Sequence, residues 1–277
     1  MMKRAVVVYL DASPAQLRMF RCLYASFKYI EAEDTSLVVF GEPSVMKWVP
    51  KECVQVPVSM EKEEEAYGSY PYLYSLACLT KKEAVVLLDF DWVLHTDVDT
   101  FLTPAWNDFH PMRYTTGKGA YAHTYEVKNK IRRTSDLFNF RHQGQFNVGS
   151  THYGGSGDVL EVAKTATEVT KYLLRHEFKD REGTWPGWYR GVSSLYAREI
   201  AVNHHVDDFS VSADHLDYPS TSGQSVQDHP HIHCWHTKEI FSKFAFLQGE
   251  YDDRERDALD LDQVKDYCLY HALVSRS

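Results

Sequence analysis

The stretch Ala84-Val85-Val86-Leu87-Leu88-Asp89-Phe90-Asp91-Trp92-Val93-Leu94-His95-Thr96-Asp97-Val98-Asp99-Thr100-Phe101-Leu102-Thr103-Pro104 decides the fold. Its apolar residues run into a polar tip and out again, the pattern of a buried strand that ends in a loop. In extended backbone residues i and i+2 project to the same side, so Asp97 and Asp99 converge at the strand's carboxyl end. Open α/β sheets hold their ligands at that edge. Asp89 and Asp91 compete for the same role, but Asp89 directly follows Leu87-Leu88 and reads as the end of a preceding strand.

Upstream, short apolar runs alternate with helical segments, as in βαβ units around a mainly parallel sheet flanked by helices. Residues 5–10 form the first strand. Ser13-Pro14 opens a helix by N-cap and first-turn chemistry, and Leu17, Phe20, Cys22, Leu23 and Phe27 carry its apolar face to about Tyr29. Residues 37–40 give a second strand, broken by Gly41-Glu42-Pro43. A short helix at 45–48 and a third strand at 53–56 follow. Residues 60–65 read as a solvated charge run, and 70–79 as a partly apolar helix. Downstream lie a Gly-rich stretch at 143–157, helices at 158–176, 193–204 and 259–273, and an aromatic loop at 185–190.

The chain has 277 residues, 44% apolar and 25% charged, which suits one large globular domain. A net charge of -9 argues against broad binding to nucleic acid or to an anionic membrane. The apolar run after Lys3-Arg4 is too short for a signal peptide and stops at Asp11, and no stretch approaches the roughly 18 apolar residues of a membrane span. The five cysteines are odd in number and never spaced Cys-x-x-Cys, and no Asn-x-Ser/Thr acceptor occurs. A soluble, cytoplasmic protein is expected.

Asp-x-Asp alone says little, and three such triplets occur. Asp260-Leu261-Asp262 falls in a helical pattern, where residues two apart share no face, and reads as surface. Asp97 and Asp99 offer converging hard oxygens suited to Mg²⁺ or Mn²⁺ on a diphosphate. The plainer alternative is that they cap a turn before Thr100.

The run Val93-Leu94-His95-Thr96-Asp97-Val98-Asp99-Thr100-Phe101-Leu102-Thr103-Pro104 resembles the DxD region of GT-A glycosyltransferases, and the text around it is similar to enzymes encoded by large viruses of green algae and by algae. The resemblance implies the GT-A fold, a Rossmann-like sheet in which residues 1–104 form the nucleotide-sugar half and 105–277 the acceptor-binding half. It also implies a UDP-sugar donor, with xylose as first guess, a glycan or glycoprotein acceptor, and Mn²⁺ or Mg²⁺ on Asp97 and Asp99. Asp11 and Asp97 would touch the nucleotide.

Phe146-Asn147-Val148-Gly149-Ser150 is similar to the Phe-Asn-x-Gly strand that lines the sugar pocket in several GT-A families, which makes Asn147 and Gly149 donor contacts. The alternative is a β-bulge in which Gly149 permits close backbone approach. Ile232-His233-Cys234-Trp235-His236-Thr237-Lys238 resembles the late segment that supplies a further metal ligand. The resemblance puts His236 first and His233 second, with Lys238 and Lys243 for the diphosphate, and an imidazole among carboxylates favours Mn²⁺.

Many inverting families place an acid just after a Gly-Trp loop, and Trp185-Pro186-Gly187-Trp188-Tyr189-Arg190-Gly191-Val192-Ser193 contains none. Either the general base comes from elsewhere, with Asp158 and Asp207 leading Asp180 and Glu182, or configuration is retained. The loop's aromatics suit either a sugar face or the core. Two other functions fit the same residues: a metal-dependent phosphoesterase or nucleotide-sugar hydrolase, and a non-catalytic carbohydrate-binding module.

Overall fold

A computed structural model describes residues 2–235 and 237–276. In chain order the elements are β1 (Arg4–Leu10), α1 (Pro14–Tyr29), β2 (Thr35–Gly41), β3 (Val54–Pro57), α2 (Glu61–Tyr67), α3 (Leu73–Ala77), β4 (Trp92–His95), β5 (Thr100–Leu102), β6 (Tyr114–Lys118), α4 (Tyr125–Leu137), β7 (Val148–Gly155), α5 (Ser156–Tyr172), α6 (Ser193–His205), β8 (Phe209–Val211), β9 (Tyr218–Pro219), β10 (His231–His233), α7 (Lys243–Gln248) and α8 (Val264–Val274). Seven strands form one sheet in the order β3-β2-β1-β4-β7-β6-β8, and β5-β10-β9 form a small second sheet. Within the large sheet β7 runs antiparallel to its neighbours β4 and β6, while the β3-β2-β1-β4 pairs and the β6-β8 pair are parallel.

Both faces of this sheet are covered, which explains why its inner strands are apolar throughout rather than alternating. Ala5 and Val7 of β1, with Val38 and Phe40 of β2, face the core built by α2, α3, α5 and α6. Val6, Val8 and Leu10, with Leu37 and Val39, face the core of α1, α7, α8 and the small sheet. The period of two sends successive residues to opposite cores. Helix α1 starts as its sequence predicts: Pro14 lies at the first turn and the Ser13 hydroxyl accepts the Gln16 N–H at 3.3 Å. Arg4 anchors the first strand from beneath, donating to the carbonyls of Trp106 and Phe109 and pairing with Asp34 at 2.7 Å.

Three local expectations are corrected. Residues 82–89 are a 3₁₀ helix, not a strand. Ala84 and Leu87 are buried while Val85 and Leu88 are 65% and 56% exposed, so the burial period is three, and the ladder with β1 begins only at Trp92. Residues 60–65 carry exposed charges at Glu61, Lys62, Glu64 and Glu65 as expected, but they are more than a solvated run. They open α2, whose inward face is Met60, Glu63 and Tyr67, and the buried Glu63 takes Lys81 Nζ at 2.8 Å and Lys171 Nζ at 3.4 Å. The last helix begins at Val264, after a separate 3₁₀ turn at Arg256–Ala258.

Candidate metal centre

Strand β4 stops at His95, and the Thr96 N–H makes the last ladder bond, to the Val7 carbonyl at 3.0 Å. Asp97 and Asp99 then lie in the turn between β4 and β5 rather than in extended backbone. Convergence on one side therefore does not come from strand periodicity. It comes from the turn, which the Thr100 hydroxyl closes by donating to the Asp97 carbonyl at 2.8 Å.

The third member arrives from far along the chain. Strand β10 pairs antiparallel with β5, setting His233 opposite Thr100, and the Cys234 N–H bonds the Asp99 carbonyl at 3.0 Å. The His233 Nε2 consequently lies 3.4 Å from Asp99 Oδ1 and 3.9 Å from Asp97 Oδ2. One ligand atom from each of Asp97, Asp99 and His233 falls within 4.8 Å of the others. Ligands about 2.1 Å from a Mg²⁺-sized ion sit about 3 Å apart when adjacent and about 4.2 Å apart when opposite. The cluster fits one such cation with little adjustment, and its two carboxylates and one imidazole suit Mn²⁺ better than Mg²⁺.

The other face of His233 is fixed. Its Nδ1 lies 3.0 Å from Asp217 Oδ1 and 3.2 Å from Ser150 Oγ. Asp217 is buried and is held in turn by the Thr151 N–H and hydroxyl. Beneath it His231 is wholly buried between the Thr96 hydroxyl, 2.9 Å from Nε2, and the Asp217 N–H, 3.1 Å from Nδ1. Lys243, at the start of α7, forms an ion pair with Asp99 Oδ2.

The charges are tightly interdependent. Burial acts to raise the Asp99 carboxyl, but His233 and Lys243 together hold it well below the usual range. Asp217 is held low in the same way, by His233 against its own burial. Burial opposes protonation of His233, yet Asp99 and Asp217 overcome it and keep the imidazole charged well above its ordinary range. Asp97 is pushed upward by desolvation, with the charge of Asp99 adding to it. Three carboxylates here face the cations His233 and Lys243, and the charge of Asp97 also acts on the buried Arg198.

The remaining sequence candidates fall in different places. Asp11 follows β1 at the same edge as Asp97 and accepts the Ser13 N–H at 2.7 Å. Asn147 and Gly149 serve the backbone. Asn147 has a left-handed φ of 62°, and its side-chain oxygen accepts the N–H groups of Tyr121 and Ala122. A Cβ on Gly149 would stand 2.3 Å from the Gly117 carbonyl carbon and 2.5 Å from Asp217 Oδ2, so the close-approach reading describes it. Lys238 is exposed, and His236 lies outside the described residues.

Asp158 and Asp207 are corrected as candidate bases. The β4–β7 register puts His152 opposite His95 but Gly155 opposite Trp92, so Asp158, in the first turn of α5, sits at the far edge of the sheet from Asp97. Asp207 precedes β8, which pairs with β6 from Tyr114 at that same far edge, and its 88% exposed side chain is tied to Arg141. Asp180 and Glu182 are exposed in the segment that precedes the aromatic loop. Within the loop at 185–190 Trp188 belongs to the core, stacked on Tyr196 at 4.3 Å, whereas Trp185 is 52% exposed. His229 also belongs to the fold, stacked on Tyr218 with Nδ1 2.8 Å from the Asp214 carbonyl.

Asp217 and Arg198 carry no motif that a sequence reading could use. They lie apart in the chain from Asp97: Asp217 comes near it through the β9–β10–β5 pairing, and Arg198, on α6, through its bond to the Ser150 carbonyl of β7.

Fold and site together define an α/β protein with a mostly parallel, helix-flanked sheet, compatible with a Rossmann-like fold, and a cluster of two carboxylates and an imidazole at the sheet's carboxyl edge whose spacing could hold a metal ion. A family model described as Domain of unknown function (DUF7164) matches residues 1–276, and the chain belongs to that family. No curated protein matches it.

Proposed function

We propose that the protein is a metal-dependent glycosyltransferase of the GT-A type that takes a UDP-sugar as donor and a glycan hydroxyl as acceptor. The observation that carries this reading is the meeting of Asp97, Asp99 and His233 at the carboxyl edge of the sheet, with Lys243 beside them. Asp97, Asp99 and His233 would hold a divalent cation. Such an ion would supply Lewis-acid stabilisation of the negative charge on a departing nucleoside diphosphate.

The chain's own residues supply the rest. Asp217 and Ser150 fix the His233 ring so that Nε2 faces the acidic pair. Lys243, which pairs with Asp99 in this structure, would on this reading give up that pair to a cation and meet a phosphate oxygen by a charge-assisted bond. Asp11 stands at the same edge, within the half that binds the nucleotide on this reading.

A two-metal phosphoesterase fits less well, because it needs a second ligand group and only one such group is found among the described residues. The test is thermal. UDP-sugar with Mn²⁺ should raise the melting temperature more than either alone, since a ligand that binds only the native state stabilises it by mass action. A panel of UDP-glucose, UDP-galactose, UDP-xylose and GDP-sugars identifies the donor. No shift with any of them at millimolar ligand sinks the reading. Release of free sugar phosphate without acceptor would mark a hydrolase instead.

A further inference from the structure

We propose that Arg198 receives an oxyanion of the bound ligand, either the second phosphate of the nucleotide or a carboxylate carried by its sugar. The inference rests on the donor reading above and names a recognition element within that site.

Arg198 lies on α6 and is only 5% exposed. Its Nη1 donates to the Ser150 carbonyl at 2.7 Å, and its Nη2 reaches Ser75 Oγ at 3.4 Å. No carboxylate among the described residues comes within 4.0 Å of it. The equally buried Arg4, by contrast, holds Asp34 at 2.7 Å. A buried cation whose only task is structural is normally paired in that way, because an uncompensated charge bears the full cost of leaving water.

The immediate surroundings offer no compensation. His95 and His152 are kept neutral, first by burial and then by the guanidinium itself. The His152 Nε2 is buried without a partner in the same layer. Negative charge reaches Arg198 chiefly from Asp97 and more weakly from Asp217. Both are engaged elsewhere: Asp217 with His233 and Thr151, Asp97 with the cation position.

A dication on the acidic pair would take up the negative charge of Asp97 that otherwise acts on Arg198. An anion between the dication and the guanidinium relieves both. Lys243 pairs with Asp99, and Arg198 approaches the site from the Ser150 side, through the residue whose hydroxyl lies 3.2 Å from His233 Nδ1. A guanidinium fork matches phosphate or carboxylate with two parallel N–H bonds, which a point charge does not.

The experiment compares wild type with Arg198→Gln for binding of inorganic pyrophosphate, UDP, UDP-xylose and UDP-glucuronate, each with Mn²⁺, by calorimetry and thermal shift. The two sugars differ by one carboxyl group. Loss of about 30-fold or more in affinity is expected for every ligand that presents the oxyanion. A loss confined to UDP-glucuronate assigns the carboxylate, and a loss shared by all four assigns the phosphate. Arg198→Lys keeps the charge without the fork and should restore part of the affinity; it also serves should Arg198→Gln fail to fold. Equal binding of all four ligands by wild type and variants overturns the inference and leaves the donor reading standing. Arg198-dependent binding of pyrophosphate with no binding of any nucleotide keeps the oxyanion site and ends the glycosyltransferase reading. If wild type binds none of the four, both fall.

Discussion

Asp217 and His233 form a pair in which the imidazole Nδ1–H donates to the carboxylate at 3.0 Å, leaving Nε2 3.4 Å from Asp99. A carboxylate behind a histidine fixes the tautomer and the ring orientation and makes the outer nitrogen a stronger ligand. Asp217→Asn keeps the volume in a place where Gly117 and Gly149 leave no room for change, yet removes the charge. Manganese affinity should fall by about 10- to 100-fold, the scale of such supporting partners. Titration of Mn²⁺ by electron paramagnetic resonance checks this, and an unchanged dissociation constant would show that the pair serves the fold alone.

Asp99→Asn and His233→Ala should each weaken Mn²⁺ binding by about 10-fold or more, because each removes one ligand of three. Asp158→Asn and Asp207→Asn should change neither metal binding nor donor binding, since both carboxylates lie at the far edge of the sheet. The same titration run on the four variants decides it. A defect in the second pair as large as in the first would mean that the cleft is at the wrong edge.

Lys243 leads to a prediction of opposite sign for two ligands. Its ammonium pairs with Asp99 where a cation would bind, so metal must displace it. Lys243→Gln should therefore tighten Mn²⁺ binding several-fold while weakening UDP, which loses a charge-assisted bond to phosphate. Calorimetry with each ligand separately tests the pair of signs. Weaker binding of both would mean that Lys243 organises the acidic turn instead of competing at it.

The sequence was most informative where one segment makes its own structure. The strands at 5–10, 37–40 and 53–56 and the Ser13-capped helix are found with small shifts at their ends, because apolar run length and N-cap chemistry act over a few residues. Glu63 within 60–65 and the run 84–88 depart from their local patterns because tertiary partners decide them: Lys81 and Lys171 hold Glu63 inside a stretch whose other charges are exposed, and a three-residue period hides Ala84 and Leu87. At the site, the acidic pair was visible as a motif. Its geometry was not, since a turn rather than a strand brings Asp97 and Asp99 together. The choice among the late histidines depended on the β5–β10 register, and Asp217 and Arg198 on long-range packing that no local pattern announces.

His271 sets an acid limit on stability. The ring is 1% exposed on α8, packed edge-on against Tyr29, Tyr267 and Tyr270, and neither ring nitrogen has a hydrogen-bond partner. Burial pushes its pKa down to about 3. In the unfolded chain the same group titrates near 6.5. Below about pH 6.5 the unfolded state therefore binds a proton that the folded state refuses, and stability drops as pH falls from there toward 3. At pH 5 the loss from this one residue is about 2 kcal/mol. His271→Phe removes the titration and the two unpartnered nitrogens while keeping an aromatic ring among tyrosines. The variant should equal or exceed wild type in urea midpoint at pH 7.5 and gain a further increment of about 2 kcal/mol over it at pH 5. His231, pushed down to about 4 chiefly by burial, continues to titrate, so the variant's acid sensitivity shrinks without vanishing. Parallel stability profiles for wild type and His271→Phe between pH 7.5 and 5 would show that the ring accepts its proton in the folded state.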